Sequence, residues 1–132
     1  MEIVVDTSAI IAVIADEPER ADILRLTSDM DLVAPRSVFW EVGNAFSAML
    51  KRNRVDLKDV MKAMETFKFI PIRFLDVELE DSIMVAADLK IYAYDAYLLQ
   101  CALKYKLPLM TLDKDLINYA LRKGVKVIQV TA

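Results

Sequence analysis

The sequence predicts a three-layer α/β/α fold, a five-stranded parallel sheet covered by helices on both faces. Short apolar runs alternate with longer stretches of helical periodicity along the whole chain. Those runs are apolar at successive residues, as strands buried on both faces are, and lack the in-out alternation of a half-exposed sheet. The length, 132 residues, is enough for one such core and too little for two, so residues 1–132 read as one domain.

Ile3 to Val5 reads as the first buried strand; Asp6, Thr7 and Ser8 follow it, and a helix runs from Ala9 to Ala15. Pro18 begins a second helix ending near Thr27, with Glu17 and Glu19 at its start, where the helix dipole favours acids. Leu32 to Ala34 forms a short strand closed by Pro35. Ser37 or a neighbour caps a long helix to Arg52, and Asp56 caps another to Phe67. The run from Phe69 to Leu75 reads as a strand despite Pro71, because it is rich in Ile and Phe. Asp76 opens a helix to Asp88, and Tyr94 to Lys106 makes the next. Pro108 to Leu112 is a strand, Lys114 to Lys123 a helix ended by Gly124, and Val125 to Val130 the last strand.

Histidine is absent, which excludes serine–histidine–acid triads, imidazole acid–base pairs and histidine zinc sites. The single cysteine, Cys101, cannot close an internal disulfide or build a thiolate metal site, and its apolar surroundings in sequence read as packing. Two glycines, Gly43 and Gly124, cannot supply a dinucleotide fingerprint or a Walker phosphate loop. The longest apolar run, Ala9 to Ala15, has seven residues, against about 20 for a membrane span. With no basic-then-apolar leader either, the cytoplasm is the expected location. Hydrophobic residues make up 56% of the chain, a surplus that favours a self-association surface.

The chemistry that remains is that of carboxylates, hydroxyls, Lys, Arg and a bound metal. In an open parallel sheet, ligands gather beyond the carboxyl ends of the strands, where strand order reverses. Asp6 directly follows the first strand and Asp113 lies just past the fourth, so both reach that rim. Asp95, at the start of a helix, reads either as its N-cap or as a further rim acid. Glu41 is placed by helical angle. With Val38 at zero and about 100° per residue, Val42, Ala45 and Met49 stay within about 40° and define the buried stripe, whereas Glu41 falls at about 300°. There it borders the apolar face, where a carboxylate is costly unless a cation meets it, either a metal or a base such as Arg52. Two carboxylates about 4 Å apart repel by roughly 4 kcal/mol at an effective dielectric of about 20, so a cluster must hold protons or a cation. Without His or Cys, the oxygen donors suit Mg²⁺ or Mn²⁺. That combination points to phosphodiester hydrolysis.

At these residues the chain resembles PIN-domain ribonucleases of the VapC toxin type. The resemblance rests on Asp6-Thr7-Ser8, on Pro35 with Glu41 and Asn44, on Tyr94-Asp95-Ala96, and on Thr111-Leu112-Asp113-Lys114-Asp115, in that order. It implies a strand order of 3-2-1-4-5, endoribonuclease activity dependent on Mg²⁺ or Mn²⁺, a homodimer, and a cognate antitoxin protein that blocks the site. It also implies that Asp6, Glu41, Asp95 and Asp113 form an acidic quartet that binds metal, with Thr7 or Ser8 and Thr111 at hydroxyl positions and Asn44 as a supporting polar residue. Asp115 is either a fifth acid at the rim or the N-terminal charge of its helix. On this reading water attacks phosphorus in line, leaving a 5′-phosphate and a 3′-hydroxyl.

The net charge of −3 is set by those acids, so contact with RNA must come from local cations. Lys51, Arg52 and Arg54, or Lys104 and Lys106, stand at helix ends and are the candidates. Trp40, opposite the buried stripe, suits a protein contact. Tyr92, Tyr94 and Tyr97 surround Asp95 and read equally as packing or as a substrate platform. Two readings from other classes stay open: a phosphoacceptor signalling domain with Asp76 as acceptor, and a catalytically inactive assembly module.

Overall fold

The computed structural model describes residues 1–132. β1 (Glu2–Val5) leads into α1 (Thr7–Ile14) and α2 (Arg20–Thr27), and β2 (Asp31–Pro35) into α3 (Ser37–Lys51) and α4 (Leu57–Lys68). β3 (Ile72–Leu75) is followed by α5 (Leu79–Leu89) and α6 (Ala93–Tyr105), β4 (Leu109–Met110) by α7 (Lys114–Arg122), and β5 (Val127–Ile128) comes last. The strands form one sheet of order β3-β2-β1-β4-β5, and every neighbouring pair is parallel. The fold class and strand order expected from the sequence are those observed.

Handedness distributes the helices. The chain steps from β1 to β2 to β3 in one direction and returns to β4 and β5 in the other. Right-handed crossovers therefore place α1 to α4 on one face and α5 to α7 on the opposite face. In accord with this, α1 packs against α2, α3 and α4, while α6 packs against α5 and α7. Central β1 is covered on both sides, so Ile3 and Val4 are fully buried, as are Val33 of β2 and Leu109 and Met110 of β4. This is why the central strands read as unbroken apolar runs. Cys101 is buried within α6, and burial pushes its thiol up to about 12, which leaves it inert.

Several element ends differ from the sequence expectation, each for a local reason. α1 begins at Thr7 because the Asp6 carboxylate caps it, accepting the Ala9 N–H at 3.0 Å. Pro18 lies in a turn, and α2 starts at Arg20. Ser37 is the first residue of α3, not its cap; Arg36 holds the cap position and no side chain caps the helix. β3 starts only at Ile72, since Phe69 still ends α4 and Pro71 has no N–H for the ladder. Glu78 replaces Asp76 as the N-cap of α5. The Asp76 carbonyl instead accepts the Tyr105 hydroxyl at 2.7 Å and Lys104 Nζ at 3.1 Å. β4 and β5 shrink to two residues each. The α7 ending is as expected: Gly124, at φ 75°, lets its own N–H reach the Leu121 carbonyl and the Val125 N–H reach that of Ala120. No helix is long and apolar enough to cross a membrane.

Leu99 of α6 is fully buried. Leu99→Ala is expected to lower the unfolding free energy by about 2–5 kcal/mol, read as a reduced urea midpoint at unchanged m-value.

Candidate active site

β1 and β4 are adjacent and parallel, and their carboxyl ends mark the point where strand order turns back. Asp6 leaves β1 there and is only 4% exposed. Three donors meet its carboxylate: Ser8 Oγ at 2.7 Å and the Ala9 N–H at 3.0 Å reach Oδ1, and Thr111 Oγ1 reaches Oδ2 at 2.5 Å. The same hydroxyls accept backbone donors from the turn after β4. Leu112 N–H binds Ser8 Oγ at 2.9 Å, and Asp113 N–H binds Thr111 Oγ1 at 3.0 Å. A relay of hydroxyls thus ties the first turn of α1 to the turn that carries Asp113. Burial lifts the Asp6 carboxyl above its ordinary range, the three hydrogen bonds oppose that lift, and Asp113 adds to it by repulsion.

Glu41 projects from α3 with its Oε2 buried and unpartnered. Burial first, then the charges of Asp6 and Asp95, push its carboxyl to about 7, with Thr7 drawing it down slightly. Thr7 Oγ1 lies close enough for that effect yet outside hydrogen-bonding geometry, since both oxygens remain without partners. Arg52 is exposed and forms no ion pair with Glu41. Asp95 is the third residue of α6, whose N-cap is Tyr92, so its carboxylate is not spent on capping. Burial, then Asp113 and Asp115, raise it. Asp113 does cap α7, accepting the Asp115 N–H at 2.9 Å and the Leu116 N–H at 3.3 Å through Oδ1. Asp115 is both of the things the sequence left open: an acid in the first turn of α7 and a charge within reach of Asp95.

Repulsion therefore links Asp6 to Glu41, Glu41 to Asp95, Asp95 to Asp113 and Asp113 to Asp6, a closed ring of four like charges from four separate segments. Asn44, three residues past Glu41, is exposed; Ser47 Oγ binds its carbonyl at 2.8 Å. Asp76 has its carboxylate 2.9 Å from Arg36 Nε. The sequence reading gave Ser37 only a capping role, yet it stands one helical turn before Glu41 and carries a further buried hydroxyl without a partner. The four-residue spacing was the available signal.

The donor set fits a hard divalent cation. All its members are oxygens, Glu41 Oε2 has no other partner, and three of the four lone pairs of Asp6 are already used, leaving one on Oδ2. No three acids come together closely enough to ligate one ion. Asp113 meets the site with its Oδ1 already engaged in capping α7. Mg²⁺ characteristically takes one or two carboxylates and keeps several waters, which suits this spacing.

A parallel three-layer domain with an acidic ring at the reversal of strand order is the class defined so far. The PIN domain family matches residues 3–121. The chain belongs to that family. No curated protein matches the sequence significantly. Among solved structures, PAE2754 from Pyrobaculum aerophilum is similar with a TM-score of 0.73 at 23% identity, over 96% of this chain and 83% of that one. VapBC2 from Rickettsia felis, bound to a DNA fragment from its promoter, is similar with a TM-score of 0.68 at 13% identity, over 99% of this chain and all of that one. Mycobacterium tuberculosis VapC20, a sarcin–ricin loop cleaving toxin, gives 0.64 at 17% identity, over 88% and 93%. These likenesses bear on the fold.

Two outcomes follow from the geometry. Thr111→Val removes the bond to Asp6 and leaves the Asp113 N–H unpaired, so it should cost about 1–3 kcal/mol in denaturant unfolding, with Thr111→Ser recovering most of the loss. Glu41 has a folded value of about 7 against 4.5 for the free side chain. The folded state then binds more protons across that window, and stability falls as pH rises through it. Glu41→Gln should therefore gain stability over the wild type between about pH 5 and about pH 8, reaching about 1–2 kcal/mol after solvent screening. Thermal unfolding across that range without added metal checks this, and a pH-independent difference would contradict it.

Proposed function

We propose that the chain is a Mg²⁺- or Mn²⁺-dependent endoribonuclease, the toxin of a VapBC-type toxin–antitoxin pair, with residues 1–132 acting as one nuclease domain. The observation that carries this reading is the ring of four carboxylates at the strand reversal, which faces no Lys or Arg partner. Membership of the PIN domain family supports it. Asp6, Glu41, Asp95 and Asp113 are the residues that would hold one or two ions, directly or through water, Asp6 through the free lone pair of Oδ2 and Glu41 through Oε2. When bound, the cation neutralises charge on the phosphate and makes water a better nucleophile.

The chain's own groups do the rest. Ser8 and Thr111 keep Asp6 in one orientation through the relay between α1 and β4. Glu41, buried beside Thr7, orients the attacking water or takes its proton at Oε2. Asn44, three residues past Glu41 on α3, and Asp115, within reach of Asp95, position the substrate. Water attacks phosphorus, the bond to the 3′-oxygen breaks, and the 3′-oxygen leaves with a proton, giving a 5′-phosphate and a 3′-hydroxyl.

The same reading assigns the partners. RNA is the substrate, as for the sarcin–ricin loop cleaving toxin VapC20, and a cognate antitoxin that blocks the acidic ring is the protein partner the family resemblance implies. A homodimer accounts for the apolar surplus. Trp40 is 72% exposed on α3, and Leu79, Ile83 and Met84 are exposed on α5, on the opposite face of the sheet. The cytoplasm is the location.

Asp6→Asn and Asp95→Asn should each reduce metal-dependent cleavage of a single-stranded RNA by on the order of 100-fold, about 2.7 kcal/mol of transition-state stabilisation. EDTA should abolish cleavage by the wild type. Full activity in either variant would remove that residue from the mechanism.

A further inference from the structure

A concavity lies against α3 and α6, the helices that carry Glu41 and Asp95. It has a volume of about 180 Å³, and Pro35 and Leu75, at the ends of β2 and β3, are part of its lining. Arg36, Ser37, Asp76 and Tyr97 line it. Its position is tied to the ring through the helices. Ser37 precedes Glu41 by one turn of α3, and Tyr97 follows Asp95 by two residues on α6.

Its chemistry is that of donors. No side chain caps α3, so the N–H groups of its first turn lack a side-chain acceptor, and Arg36 and Ser37 at that end of the helix belong to the lining. Ser37 Oγ is buried with no hydrogen-bond partner. The Arg36 guanidinium is held only by Asp76, 2.9 Å away, in a pair whose side chains are 71% and 75% exposed. Such surface pairs contribute little and exchange readily. A ring of tyrosines then leads outward. Tyr97 meets Tyr94 edge to face, with centroids 6.2 Å apart at 80°. Tyr94 is 49% exposed and Tyr92 90% exposed, so packing does not account for them.

We propose that this cavity is a subsite for the backbone phosphate of single-stranded RNA neighbouring the scissile one, bound by Arg36 and Ser37 at the start of α3, with Tyr94 and Tyr97 stacking an unpaired base. The proposal rests on the ribonuclease reading and deepens it. A chain of this acidity has to grip RNA locally, and a cation beside the ring would do so without neutralising the ring itself. Of the cations favoured from sequence, Lys104 is engaged by Glu78 at 2.8 Å and by the Asp76 carbonyl, so it is not the free contact. Exposed aromatic rings accept splayed bases and have no access to bases stacked in a duplex.

The test compares full-length wild type, Arg36→Ala, Asp76→Asn, Tyr94→Ala and Tyr94→Phe. The readouts are KM for cleavage of a labelled single-stranded RNA and its binding by fluorescence anisotropy at several salt concentrations. Arg36→Ala should raise KM and Kd about tenfold and reduce the salt slope by about one. Tyr94→Ala should weaken binding at least about fivefold, with Tyr94→Phe restoring it. Asp76→Asn separates the roles. If Arg36 serves only to pair with Asp76, losing either partner has the same effect; if Arg36 binds phosphate, freeing it tightens RNA binding. Wild-type KM and Kd in Arg36→Ala and Tyr94→Ala, or weaker binding by Asp76→Asn, overturns the subsite while leaving the ribonuclease reading intact. A wild-type protein that neither binds nor cuts RNA overturns both.

Discussion

Burying the Asp6 carboxylate at the junction of β1 and β4 is costly unless donors meet it, and the turn after β4 is built to meet it. Thr111 supplies one donor directly, and its oxygen accepts the backbone N–H of Asp113 in return. Ser8 does the same between Asp6 and Leu112. The pairing of two strand ends, the start of α1 and the placement of the next acid therefore depend on a single buried group. Lose that carboxylate's partners and the rim loses both its register and its charge geometry.

Around this anchor the remaining acids are set in tension. Each of Asp6, Glu41 and Asp95 holds its proton more tightly than in water, burial being the largest cause and a neighbouring carboxylate a further one. A fold has no reason to retain such a ring for stability, because the ionised form opposes folding at neutral pH. The cost makes sense where a cation is to be captured. The cavity at the start of α3 complements this arrangement by offering donors where the ring offers acceptors. A polyanion and its counterion could then be held side by side.

Much of the site was legible in the sequence because it depends on short-range features. Asp6 and Asp113 follow apolar strands directly, so their rim position comes from strand boundaries, and Glu41 was placed by helical angle at the border of the buried stripe. Asp95 was ambiguous, since an acid near a helix start has an equally good capping role; in the structure Tyr92 occupies the N-cap position, no side chain caps α6, and Asp95 is left to the ring. Asp76 misled for the same reason in reverse. The expected base for Glu41, Arg52, lies exposed at the far end of α3, too distant to serve. Helical angle places residues around an axis but says nothing about height along it.

Composition and periodicity alone determined the alternation of strand and helix, the parallel sheet and the exclusion of imidazole and thiolate chemistry, because these depend on which residues are present and how they repeat. Which faces meet is a different matter. That Thr111 closes on Asp6 across 105 positions, that no three acids share an ion position, and that Arg36 and Ser37 open beside Tyr97 were decided only when distant segments packed. Contacts of that kind arise from crossover handedness and burial, and neither is encoded in any local stretch of chain.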